Sequence, residues 1–170
     1  MIFRIQLHTQ HSCSNLINAL KAGVFRVVPP ELLTIFEPHE LEIILCGPQT
    51  INVLDWRQNT QYKGYKYNDQ VIEWFWAVVG KMDQKKLTNL LHYCTGSTRV
   101  PILGFKYLES NRNNVAKFTI QRINYSPKDP YPKSYTCFNR LELPNYPSYK
   151  ELEKSVNVIV KEELSHFGLA

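Results

Sequence analysis

Cysteine is scarce: the chain of 170 residues holds four, Cys13, Cys46, Cys94 and Cys137, far apart and in no CxxC pair. No histidine stands at ligand spacing beside them, so neither a zinc site nor a disulfide framework is indicated, and no metal or cofactor is expected. Reduced thiols suit a reducing compartment, and the expected location is the cytosol or nucleus. Long apolar runs are also missing. Nothing approaches the roughly 18 residues of a membrane span, so no membrane partner is expected. The opening Met1-Ile2-Phe3-Arg4 to Gln10-His11 lacks the apolar core and small-residue cleavage site of a signal peptide. Positive charge is nowhere concentrated, although the net charge is +5. Lys63, Lys66, Lys81, Lys85, Lys86, Lys150, Lys154 and Lys161 are scattered like solvated faces rather than interleaved with stacking aromatics, which argues against nucleic acid as a partner. Repeats and low-complexity tracts are absent.

A chain of this length buries one sizeable core, or one modest core with a fragment attached. Phe3, Ile5 and Leu7 alternate as in a strand, whereas Leu16, Ile17 and Leu20 follow helical spacing, with Gly23 placed to stop that helix. Pro29-Pro30 predicts a short helix carrying Leu32, Leu33 and Phe36, and Pro38 predicts another carrying Leu41, Ile44 and Leu45 that Gly47 ends. Apolar faces of this kind need partners that so short a chain barely supplies. Across residues 51–60 the pattern changes to a polar connection, Asp55-Trp56-Arg57-Gln58-Asn59-Thr60. Beyond it, Asp69 is positioned to cap a helix bearing Ile72, Phe75, Trp76 and Val79 on one stripe. Asp83 is positioned to cap a second, bearing Leu87, Leu90, Leu91 and Cys94, so Cys94 reads as core. Residues 117–120 and 139–143 alternate as two strands of a small sheet. Polar loops cover 111–114 and 124–133. Ser148-Tyr149-Lys150-Glu151 forms a capping box before a helix that buries Leu152, Val156, Ile159 and Val160. The expected class is α+β: helices over 1–57, then a short sheet flanked by helices over 58–170.

Cys137 stands apart from the other three. Tyr131 and Pro132 break regular structure ahead of it, while Leu141 and Leu143 alternate with Glu142 after it, so the thiol sits where a loop runs into a strand. Such a place suits chemistry better than packing, although a lone cysteine is commonly just a small apolar side chain. Thiolates form more readily beside a cation, and Arg99 and Arg140 are the candidates. Strand alternation turns Arg140 away from Cys137. His92 and His166 are nearest to the motifs in sequence and read as structural or exposed rather than as bases, and no Cys-His-Asn arrangement of a thiol protease is evident.

Thr136-Cys137-Phe138-Asn139-Arg140-Leu141, followed by Leu143-Pro144 and Tyr146, resembles the active-site segment of HECT-type ubiquitin ligases. Cys46-Gly47, Asp55-Trp56, Thr60, Tyr62, Gly64-Tyr65, Ile72, Trp74-Phe75-Trp76, Thr95-Gly96, Arg99-Val100-Pro101 and Gly104-Phe105 follow the family's order and near spacing. Gly23, Phe25, Val28-Pro29, Leu32-Leu33, Phe36 and Glu40-Leu41-Glu42 also match, and Phe167-Gly168-Leu169-Ala170 looks like the family's terminus.

The resemblance implies that residues 1–57 are the end of a HECT amino-terminal lobe and hinge, and 58–170 the carboxy-terminal catalytic lobe. It implies that Cys137 accepts ubiquitin as a thioester from a conjugating enzyme and delivers it to a lysine of a protein substrate. Thr136, Phe138, Asn139 and Arg99 are then the supports of the active-site loop, and Phe167 orients the lobes for lysine transfer. The partners implied are ubiquitin, the conjugating enzyme and protein substrates. The main docking subdomain for the conjugating enzyme precedes the part resembled here. The alternative is a truncated, noncatalytic ubiquitin-binding or regulatory fragment. Two departures stand out: Tyr135 replaces the usual histidine before Thr-Cys, where packing is the expected role, and Cys94-Thr95-Gly96-Ser97-Thr98 differs slightly from the family's pattern.

Overall fold

The computed structural model describes residues 14–47, 50–109 and 116–166. Readings at Phe3, Ile5, Leu7, Cys13, 111–114 and Phe167 lie outside the described residues. The chain divides into two compact units, Met1–Glu42 and Ile43–Ala170.

The first unit holds α1 (Ser14–Phe25), α2 (Pro30–Leu33) and the start of α3 (Pro38–Cys46). Pro30 opens α2 where a missing N–H costs nothing, as its position predicts. Gly23 does not stop α1, which runs on to Phe25. A glycine costs a helix only about 1 kcal/mol, and Gly23 lies on an open surface where a Cβ would meet nothing within 4 Å. The expected apolar stripe stays uncovered, with Leu16 63% and Leu20 62% exposed.

The second unit is built on a four-stranded sheet of order β1-β2-β4-β3, with β1 (Gln61–Lys63), β2 (Thr119–Ile123), β3 (Lys133–Tyr135) and β4 (Arg140–Pro144). The first three in that order are parallel, and β3 closes the edge antiparallel to β4. Two of these strands, β2 and β4, are those read from alternation. The other two are three residues long, too short to show it. Ile120, Leu141 and Leu143 point from the sheet into the core.

Three helices complete that core: α5 (Gln70–Val79), α6 (Gln84–Thr95) and α7 (Tyr149–His166). Ile72, Phe75 and Val79 of α5, Leu90, Leu91 and Cys94 of α6, and Leu152 and Val156 of α7 are fully buried, as their spacing predicts. Asp83 caps α6 by accepting from Lys86 N at 2.8 Å, and at the start of α7 the Ser148 hydroxyl accepts from Glu151 N and donates to Glu151 Oε2, both at 3.4 Å, which gives half of the expected capping box. Asp69 behaves differently. Its carboxylate accepts from Lys66 N at 2.9 Å in the preceding turn, leaving the first amides of α5 without it.

The polar connection is partly helical. Residues Val53–Gln58 form α4, whose amides Leu54 and Asp55 are capped by Asn52. Trp56 is fully buried, stacks on Phe105 at 4.9 Å and meets Trp76 and Phe118 edge-on. One large aromatic therefore ties this polar stretch to the second unit. No helix among the described residues is long and apolar enough to cross a membrane.

Candidate active site

Cys137 lies at the head of a β-hairpin rather than between a loop and a strand. Tyr135 of β3 pairs with Arg140 of β4, and Thr136–Phe138 between them form one turn of 3₁₀ helix. The thiol is exposed and outside any disulfide, whereas the Cys94 thiol is buried in α6.

Asn139 closes the turn. Its φ of 47° is left-handed, a conformation that asparagine tolerates better than most residues. Only 1% of it is exposed, and its side-chain amide donates to Glu109 O and Ala116 O, both at 2.8 Å. Its own carbonyl accepts from Thr119 N at 2.9 Å, and its N–H donates to Thr136 O at 3.2 Å. One side chain thus fastens the turn to the stretch before β2.

Beneath the turn, α6 ends at Gly96 with φ +73°, and a Cβ there would stand 3.6 Å from Thr136 Cβ. Only a residue at ease with positive φ can end the helix so close to the turn. The loop that follows is locked by Ser97, whose hydroxyl accepts from Arg99 N at 3.1 Å. Arg99 helps line a groove of about 390 Å³ with Gly96, Val100, Pro101 and Glu109. The site candidates named from the sequence therefore fall into two clusters: Thr136, Cys137, Phe138 and Asn139 share the turn, and Arg99 lies in the adjoining loop.

On the other side, the approach to β3 is held by tyrosines. Tyr93 donates to Pro132 O at 2.7 Å and Tyr146 to Pro130 O at 2.5 Å, while Lys133 pairs with Asp129 at 2.6 Å. Burial pushes the Tyr146 hydroxyl well above the usual phenol range. The hydroxyl therefore stays protonated and donating across the ordinary pH range.

One contact was not legible in the sequence. The Arg140 guanidinium lies 4.4 Å from the centre of the Tyr135 ring and 5.7 Å from that of Phe138. It depends on the pairing of β3 with β4, so only recognition of that short strand would have revealed it. Phe138 and Tyr135 are 57% and 41% exposed, which leaves a partly apolar surface around the thiol.

An exposed cysteine on a pinned turn is a candidate nucleophile on an α+β scaffold. The chain belongs to the HECT-domain (ubiquitin-transferase) family, whose model matches residues 3–170. It is 42% identical over 152 residues to the E3 ubiquitin-protein ligase NEDD4 of Mus musculus, an alignment covering 89% of this chain and 17% of that protein. It is 36% identical over 167 residues to E3 ubiquitin-protein ligase pub1 of Schizosaccharomyces pombe, covering 98% of the chain and 21% of that protein. E3 ubiquitin-protein ligase RSP5 of Saccharomyces cerevisiae is 34% identical over 168 residues, or 96% of the chain and 20% of that protein. The chain thus spans about a fifth of the length of these relatives.

Proposed function

We propose that this chain acts in ubiquitin ligation, with Cys137 receiving ubiquitin as a thioester from a conjugating enzyme and passing it to a substrate lysine. The observation that carries this is the exposed thiol on a turn fastened by Asn139, in a chain of the HECT family. In the first step the Cys137 thiolate attacks the thioester carbonyl and expels the conjugating enzyme's thiolate, exchanging one thioester for another. In the second, a lysine amine attacks that carbonyl, an amide forms, and the Cys137 sulfur leaves and takes up a proton. The amide is far more stable than the thioester, which draws the sequence forward.

The unit carrying the hairpin serves as the catalytic lobe. Thr136, Phe138 and Asn139 shape the turn, Arg99 borders it, and Phe167 acts in the lysine step. A reducing compartment, the cytosol or nucleus, would suit a transfer thiol.

Incubating the protein with activating enzyme, conjugating enzyme and ubiquitin tests the proposal on a non-reducing gel. The expected result is a thiol-sensitive adduct that Cys137→Ser abolishes or converts to a reductant-resistant ester. Removing residues 167–170 should leave that adduct and weaken ligation. If the adduct forms only after fusion to a complete amino-terminal lobe, the cysteine chemistry stands and delivery alone is lacking. Absence in both forms would leave a noncatalytic ubiquitin-binding relative.

A further inference from the structure

We infer that Tyr135, Arg140 and Phe138 form an aromatic clamp that sets the position of Cys137, with Tyr135 its principal positioning residue. The inference rests on the thioester role proposed above for Cys137, although its main test does not.

Tyr135 and Arg140 face each other across the antiparallel pair, so their side chains leave the same face of the hairpin. Phe138 comes from the turn itself, immediately after the cysteine. Two rings, one from each side of Cys137, therefore converge on a single guanidinium, at 4.4 and 5.7 Å. Both distances lie within the roughly 6 Å over which a cation is drawn to a ring face. Closing the two rings on one cation spans the turn above the thiol's neighbours, while Asn139 fastens it below.

Hydrogen bonding alone does not hold the guanidinium there. Its Nη1 donates to Gln121 Oε1 at a long 3.3 Å, and its buried Nε has no hydrogen-bond partner among the described residues. The planar, delocalised charge of arginine suits stacking, and lysine would lose the flat face while keeping the charge. The contact is with the ring of Tyr135. A ring is what the position requires.

Backbone hydrogen exchange on the full chain, with thermal melting as a control on folding, tests the clamp without ubiquitin. The amides to follow are Asn139, which donates to Thr136 O, and Arg140, which lies in the β3–β4 pairing. Tyr135→Phe should exchange as the parent does. Tyr135→Ser should exchange about three- to tenfold faster at these amides, and Arg140→Met should do the same. Adding Tyr135→Ser to Arg140→Met should change little further, because Arg140→Met already removes the Tyr135 contact. In thioester formation, Tyr135→Ser should lower the maximal rate by a similar factor with an unchanged KM for loaded conjugating enzyme, and Tyr135→Phe should restore it. Equal exchange in the Phe and Ser variants, or additive effects in the double variant, would overturn the clamp. Loss of transfer in the parent chain and its lobe fusion, with the exchange pattern intact, would instead overturn the thioester role and leave the clamp standing.

Discussion

At position 139 the backbone needs a residue that accepts positive φ and a side chain that reaches two carbonyls, and asparagine meets both needs. Replacing it separates the two. Asn139→Gly keeps the conformation and loses the hydrogen bonds, at a cost of about 1–3 kcal/mol. Asn139→Ala loses both and should unfold at lower urea, about 1 kcal/mol worse than the glycine variant. Equal stability of the two would mean that φ is not what selects asparagine. The thiols provide a second comparison at this scale. Cys94 is 0% exposed and Cys137 lies on the surface, so maleimide should label Cys137 at least about a hundredfold faster in the native chain. Peptide mapping of the labelled sites measures that ratio. Comparable rates would place Cys94 in a segment that opens readily.

Among the elements, two glycines carry opposite expectations. Gly23 lies within α1 with open space around it, so Gly23→Ala should raise helix content and stabilise α1 by about 0.5–1 kcal/mol. Gly104 has φ +87°, and a Cβ there would fall 2.7 Å from Asp55 Oδ2, the oxygen that accepts from Phe105 N. Gly104→Ala should therefore cost about 2–4 kcal/mol by displacing that carboxylate and straining the turn. Circular dichroism and urea unfolding measure both. The Asp55 contact also explains why the elements were unequally legible. Helices α5, α6 and α7 announce themselves through stripes such as Leu87, Leu90, Leu91 and Cys94, because their buried faces repeat over several turns. The polar Asp55-Trp56-Arg57-Gln58 hides a helix whose burial rests on one tryptophan, and no periodicity exists in a single residue. Strands β1 and β3 have an exposed, half-buried, exposed pattern over three residues, which is indistinguishable from loop. The site was legible as a string from Thr136 to Leu141. The partners of Asn139 and the stacking of Tyr135 on Arg140 were not, because both depend on long-range pairing.

For the molecule as a whole, the second unit carries a built-in sensitivity to alkali. Tyr65 donates to Leu143 O at 3.1 Å and Tyr146 to Pro130 O at 2.5 Å, so these two buried hydroxyls tie β4 and the approach to β3 to the core. Burial is the first cause that raises both above the ordinary phenol value of 10.0. Below that value both the folded and unfolded chains keep the protons, and the groups cause no pH dependence. Above it the unfolded chain ionises first, the folded state binds more protons, and stability falls as pH rises. At pH 11 the loss should reach about 1 kcal/mol for each tyrosine. Urea unfolding at pH 8, 9, 10 and 11 should therefore be flat at first and then decline. Tyr65→Phe with Tyr146→Phe should start less stable, having lost two hydrogen bonds, yet decline less between pH 10 and 11. An equal decline in parent and variant would place the alkaline sensitivity elsewhere in the chain. A steeper decline in the variant would mean that these hydroxyls ionise more readily in the folded state than in the unfolded one.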